Sequence, residues 1–193
     1  MNNSMKISKR IVIALVLLTA VCALYRIVPG RPWGFAPQIA MAVFGGAIFM
    51  NNKKWAFAVP LLSMFLSDVL YEVLYHAGIS VVPGFYEGQW QNYLLFGLLT
   101  TVGFLVKRIN VLNVLVASVA APTIYFIISN FIVWTAGAGW SRPKTFSGLM
   151  MCYNDGLPFY PNSLYATVFF SIVLFGGYYL IQKRITDKSK QLA

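Results

Sequence analysis

Apolar runs of near-membrane length alternate with short charged segments along the whole chain. They predict helices at Ile11–Val28, Ala36–Met50, Trp55–Tyr75, Gln91–Val106, Val111–Trp134 and Asn162–Gln182. About 20 apolar residues in a helix cover the hydrocarbon thickness of a bilayer. The second run is short for a span. Six helices leave little of the 193 residues for a soluble domain. The expected architecture is therefore all-α, one integral membrane bundle of six transmembrane helices. Two long connections remain, Gly78–Trp90 and Ala136–Pro161, both rich in Gly, Pro and aromatic residues. Structureless connections of such length are usually functional or disordered. Leu149, Met150, Met151, Tyr153, Leu157, Phe159 and Tyr160 argue against disorder in the second. Both connections are expected as external lids over a cavity.

The third run breaks its own pattern. Asp68 and Glu72 stand one helical turn apart within it, two of the five acidic residues in the chain. A carboxylate at the centre of a bilayer costs about 2.5–3.5 kcal/mol on insertion scales, several times what one Leu or Phe returns. At 100° per residue, Ser67, Asp68, Tyr71, Glu72 and Tyr75 fall on one side, and Leu62, Leu66, Val69 and Val73 on the other. One face is suited to lipid and the other to an interior site, because intramembrane acids face a cavity, a partner or a proton.

Composition agrees: hydrophobic residues are 59%, charged residues 10%, and the mean hydropathy is +0.68. The formal charge of +10 suggests nucleic acid until its distribution is read. Lys6, Lys9, Arg10, Lys53, Lys54, Lys107, Arg108, Lys183, Arg184, Lys188 and Lys190 gather at one set of helix ends. Only Arg26, Arg31, Arg142 and Lys144 lie at the other. That asymmetry is the positive-inside pattern. It places both termini in the cytoplasm and the long loops outside, and no nucleic acid is needed to explain it. Trp33, Trp55, Trp90, Trp134 and Trp140 fall near the predicted ends, as an interfacial aromatic belt requires.

Lys6 to Arg10 followed by an apolar run resembles a signal peptide, with Val21-Cys22-Ala23 as its nearest cleavage site. The run continues through Leu24, Ile27 and Val28, which favours an uncleaved first helix. Cys22 and Cys152 make no disulfide framework, and His76 is the one histidine. GxxxxGK[ST], HExxH and CxxC are all missing from the sequence. No metal, cofactor or catalytic residue is expected. Ala36 and Ala40, Ala42 and Gly46, and Ala117 and Ala121 have the small-xxx-small spacing of close helix packing.

Two segments echo one another. Pro60 precedes Ser67-Asp68 as Pro122 precedes Ser129-Asn130, each pair following its proline by the same interval. A proline inside a helix frees a carbonyl and bends the axis. Asp68 and Asn130 are thereby expected in the outer half of the bilayer, around one outward-facing pocket. Two unrelated kinks with interhelical hydrogen bonds are the alternative.

Phe35 to Phe49 (FAPQIAMAVFGGAIF), the Pro60…Ser67-Asp68 helix, Ser129-Asn130-Phe131…Trp134, and Pro143 to Tyr153 followed by Leu157-Pro158-Phe159 carry a resemblance across nearly the whole chain. The chain resembles an uncharacterised bacterial family of membrane proteins ascribed to transport. That family is similar to the substrate-binding S components of energy-coupling-factor (ECF) vitamin transporters. The resemblance implies a six-helix protein of the bacterial cytoplasmic (inner) membrane that binds a vitamin-like micronutrient on its outer side. The implied partner is a coupling transmembrane protein with ATPases. S components dock through Ala-xxx-Ala in the first helix; here Ala14, Ala20 and Ala23 lack that spacing, and Ala36-xxx-Ala40 begins the second.

The functional reading is a non-enzymatic, membrane-embedded transport protein that captures a small extracellular molecule. Asp68, Asn130, Trp134, Tyr153 and Asn162 are expected to line its pocket, with Glu72 and Asn154 at the rim. Trp134 and Tyr153 suit stacking on a ring, Asn130 both donates and accepts, and Asp68 accepts or balances a cation. The alternatives are a structural or assembly subunit of a larger membrane complex, and an intramembrane enzyme using Asp68 and Glu72 as acid and base.

Overall fold

The computed structural model describes residues 9–191, with side chains for 17–184. Lys6 and the side chains of Lys9, Arg10, Lys188 and Lys190 lie outside the described residues. The described chain is all-helical. It comprises α1 (Lys9–Arg26), α2 (Gln38–Ile48), α3 (Lys53–His76), α4 (Trp90–Phe104), α5 (Val111–Ala136), α6 (Phe146–Gly156), a 3-10 turn (Leu157–Phe159) and α7 (Tyr160–Gln191). Among the described residues, three helical stretches are long and apolar enough to cross a membrane: Lys53–His76, Val111–Ala136 and Phe146–Arg184. Their composition fits a membrane protein.

Contacts fix the direction of each helix. Ser63 donates to the Thr19 carbonyl and Arg26 reaches Asp68, so α1 and α3 run parallel. Gln38 Nε2 donates to the Cys22 carbonyl at one end of α2, while Gly45 faces Ala56 at the other. Helix α2 therefore runs opposite to α1 and α3. Tyr93 meets Asp68, Tyr125 meets Asn92, and Phe175 packs on Phe44, 5.2 Å between ring centroids. The direction alternates from α1 to α5, and α7 returns in the direction of α2, packed against α2 and α5. Lys53, Lys107 and Arg184 thus share one end of the bundle, and Arg26, Arg31, Arg142 and Lys144 share the other.

Helix α2 is shorter than the run Ala36–Met50 suggested. Its 11 residues are about 16 Å long, half the hydrocarbon thickness. Every residue from Gln38 to Ala47 is buried, so α2 is the central core helix with no face for lipid. Pro37 stands at its N-cap, and Gly45-Gly46 thins its far end. A methyl group on Gly46 would collide with the Thr100 carbonyl oxygen and stand 2.9 Å from Gly103 Cα. One on Gly103 would collide with the Val43 carbonyl. Helices α2 and α4 meet backbone to backbone, a close approach that only small residues allow.

The connection 136–161 differs most from the expected lid. Thr145 Oγ1 accepts the Gly148 amide at 3.2 Å, capping the start of α6 and satisfying a free donor of its first turn. Gly148 lies so close to the Pro143 carbonyl that no larger side chain fits. Helix α6 then runs back along the C-terminal half of α5 and passes through the Leu157-Pro158-Phe159 turn into α7. Only about nine residues, 137–145, remain as loop. Glycine and proline here punctuate helices that the eye reads as one coil. The final helix begins at Tyr160 and extends to Gln191, beyond the predicted Asn162–Gln182.

Helix α3 has the two faces its pattern predicts as far as Glu72, while Tyr75, expected on the interior side, is exposed near the helix end. Ser63, Ser67 and Asp68 are buried, while Leu62, Leu66 and Val73 are exposed. Pro60 and Pro122 are both fully buried inside their helices.

Candidate functional site

Asp68 organises the end of the bundle that carries Arg26 and Arg31. Only 1% exposed, it meets the Arg26 guanidinium through Oδ1, while Oδ2 accepts from Gln89 Nε2 and, at 2.6 Å, from the Tyr93 hydroxyl. Arg26 also donates to Ser67 Oγ at 2.6 Å and lies over the Tyr71 ring. Burying the charge is tolerable because the carboxylate is both paired and hydrogen-bonded. One residue thereby joins the end of α1, the middle of α3 and the start of α4. Arg31 completes the corner by donating to the Arg26 carbonyl at 2.7 Å and the Phe35 carbonyl at 3.2 Å.

Glu72, one turn further along α3, holds the segment 78–90. Its Oε2 accepts the Gly84 and Phe85 amides at 2.9 and 3.1 Å, and its Oε1 lies 3.0 Å from His76 Nε2. Gly84 rests directly on the α3 backbone, where a methyl would strike the Asp68 carbonyl. The acidic pair therefore pins one loop at two points, Glu72 through backbone amides and Asp68 through Gln89.

A cleft of about 720 Å³ opens beneath this loop, between α4 and the C-terminal half of α5. The 78–90 loop and α4 line it with Tyr86, Glu87, Trp90, Gln91, Asn92 and Leu95, and α5 with Tyr125, Ser129, Ile132 and Val133, so both sides mix polar and apolar groups. Asn92 Nδ2 donates to the Tyr86 hydroxyl at 2.5 Å, and the Tyr125 hydroxyl donates to Asn92 Oδ1 at 3.3 Å. The Tyr86 amide donates to Gln89 Oε1 at 3.2 Å, so Gln89 links this wall to Asp68. Burial pushes the Tyr86 pKa up, which keeps its hydroxyl neutral. The cleft thus offers hydroxyl and amide groups on a wall fixed from behind by a buried ion pair.

The residues singled out in the sequence surround this cleft and do not line it. Asp68 and Glu72 brace its loop. Asn130 belongs to a separate contact: its Nδ2 donates to the Phe126 carbonyl at 2.8 Å, its side chain covers Gly156, and its carbonyl faces Cys152 Sγ. Trp134 Nε1 donates to the Pro143 carbonyl at 2.8 Å, and the Tyr153 hydroxyl to the Ile127 carbonyl at 3.2 Å. Asn154 is exposed on α6. Asn162 Nδ2 donates to the Trp33 carbonyl at 3.0 Å, tying α7 to the segment before α2. Asp68 and Asn130 do not meet, because α6 occupies the face of α5 that carries Asn130.

Outside the cleft, Arg142 forms a two-pronged pair with Asp155, both bonds 2.8 Å, which raises the arginine pKa further. Lys144 stands on the Trp134 and Thr135 carbonyls. Cys22 and Cys152 are free and buried. Among the described residues no group of three or more His, Cys, Asp or Glu side chains is placed to hold a metal.

Sequence reasoning passed over Arg26, Gln89, Asn92, Tyr93 and Tyr125. Two signals were available: an arginine closing an apolar helix needs an acid, and Gln89, Asn92 and Tyr93 have the spacing of one helical face. No curated protein and no solved structure matches the chain. Residues 5–191 match DUF6580, a family of unknown function, and the chain belongs to that family.

Proposed function

We propose that the protein is a multi-pass membrane protein that captures a small, vitamin-like molecule from outside the cell for uptake. The observation that carries this reading is the cleft beneath the 78–90 loop, lined by polar and apolar side chains together and braced from behind by the Asp68 network. Pockets that take small molecules combine apolar walls with a few oriented polar groups. Tyr86, Tyr125 and Trp90 provide faces for a ring, and Gln91, Asn92 and Ser129 provide hydrogen bonds.

In this reading α1, α2, α3, α4, α5 and α7 form the six membrane helices. The short α2 relies on the non-helical residues 27–37 to complete its passage, where Asn162, Ser163 and Arg31 donate to the Trp33, Gly34 and Phe35 carbonyls. Lys53, Lys107 and Arg184 mark the cytoplasmic end. Both termini lie there, in a bacterial inner membrane. Delivery of the captured molecule draws on a coupling membrane protein with ATPases, as in the S components that the sequence resembles.

The test uses single cysteines in a Cys22→Ala/Cys152→Ala background. In intact cells, an impermeant thiol reagent is expected to label Ser129→Cys, and to leave Lys53→Cys and Lys107→Cys untouched until the membrane is opened. Labelling of Lys53→Cys from outside, or a Ser129→Cys that reacts only after lysis, overturns the reading.

A further inference from the structure

The cleft carries one sign of charge and an apolar side arm. Glu87 is its one charged lining residue, exposed at the mouth, and it makes no hydrogen bond or ion pair among the described residues. None of the nearby cations lines the cleft, and each has a partner. Arg26 is held by Asp68, Arg142 by Asp155, and Lys144 by the Trp134 and Thr135 carbonyls; Arg31 donates to the Arg26 and Phe35 carbonyls. The buried Arg26–Asp68 pair behind the wall cancels its own charge.

Beside the main cleft lies a smaller lobe of about 290 Å³. It shares Trp90, Gln91, Leu95 and Ile132 with the cleft and adds Leu94 and Leu98. Those two leucines are 64% and 41% exposed, so the lobe opens sideways on the apolar surface of the bundle.

Granting that the cleft is a capture site, we infer that its ligand is a small amphipathic organic cation, an ammonium-type head joined to an apolar arm. The head sits against Glu87 with the Tyr86, Trp90 and Tyr125 rings around it. An electron-rich ring face attracts a weakly hydrated organic cation, and a carboxylate adds a directed charge. An anionic head would meet Glu87 with no cation in the lining to offset it. The apolar arm follows the shared Trp90–Leu95–Ile132 wall into the lobe, where it leaves water without displacing a polar contact.

The test measures calorimetric binding to the full chain in nanodiscs of phosphatidylglycerol, whose headgroup has no ammonium, with empty nanodiscs as the blank. The probes are hexyltrimethylammonium, tetramethylammonium and hexanoate. Hexyltrimethylammonium is expected to bind at least tenfold more tightly than either of the others. Glu87→Gln and Leu98→Trp, at unchanged melting temperature, are each expected to weaken it about tenfold. Hexanoate binding as tightly, or a Glu87→Gln variant binding as well as the unsubstituted protein, overturns the inference. A neutral ring compound that protects Ser129→Cys from labelling, while no cation binds, overturns the cationic ligand and leaves capture standing. Failure of every probe together with an unreactive Ser129→Cys overturns both.

Discussion

Replacing Asp68 with alanine lowers the stability of the folded bundle by about 3 kcal/mol, the lower end of the 3–5 kcal/mol range for breaking a buried ion pair. The lower end applies because the Arg26 side chain retains 21% exposure. The loss has two parts. Arg26 is left as a half-buried cation with only hydroxyl and ring neighbours, and Gln89 and Tyr93 lose their shared acceptor. Removing both charges at once has a different outcome. An Arg26→Met/Asp68→Leu double variant is expected to recover most of the stability, since apolar replacement of a buried pair is often neutral or better. Thermal unfolding in nanodiscs measures both. A single variant as stable as the original, or a double variant worse than the sum of its parts, contradicts the ion-pair account.

The second large effect is expected where α2 and α4 touch. Gly46→Val or Gly103→Val places side-chain atoms in space already held by a backbone carbonyl of the opposite helix. Overpacking a core by a methylene or two costs about 1–3 kcal/mol when side chains can yield. Here backbone must move, and α2 is enclosed by α3, α4, α5 and α7. Loss of monodisperse protein on size-exclusion chromatography is the expected result for both variants. Gly97→Ala is the control on the same helix: nothing lies within 4 Å of its added methyl. It is expected to be neutral, or to stabilise α4 by up to about 1 kcal/mol through helix propensity.

The helices were legible because each is a continuous apolar run closed at its ends by charged, Gly or Pro residues. Each of the six apolar runs coincides with a helix, and the two faces of α3 follow from the angular positions of Leu62, Leu66, Asp68 and Val73. Helix α6 was hidden because Gly148, Gly156 and Pro158 carry loop signals, and the Thr145 cap that starts the helix acts through a hydrogen bond that composition does not show. The importance of Asp68 was legible from the cost of burying it. Its role was not, because an acid in an apolar helix states a need without naming what meets it. Arg26 and Gln89 meet that need from 42 and 21 residues away. Asn130 misled because its alignment with Asp68 relative to a proline is a statement about one helix. Which face of α5 receives α6 is a matter of tertiary packing.

The central claim is that the cleft beneath the 78–90 loop holds a small molecule, and extraction of the purified protein tests it most directly. Protein drawn gently from its membrane into nanodiscs is denatured, and the released small molecules are identified by mass spectrometry. A Ser129→Trp variant with an unchanged melting temperature is treated identically, since its indole fills the cleft wall between Tyr125 and Val133. The expected result is a stoichiometric ring-containing or ammonium-bearing compound released from the original protein and missing from Ser129→Trp. The same compound recovered in equal amount from both proteins, or none from either, contradicts the claim.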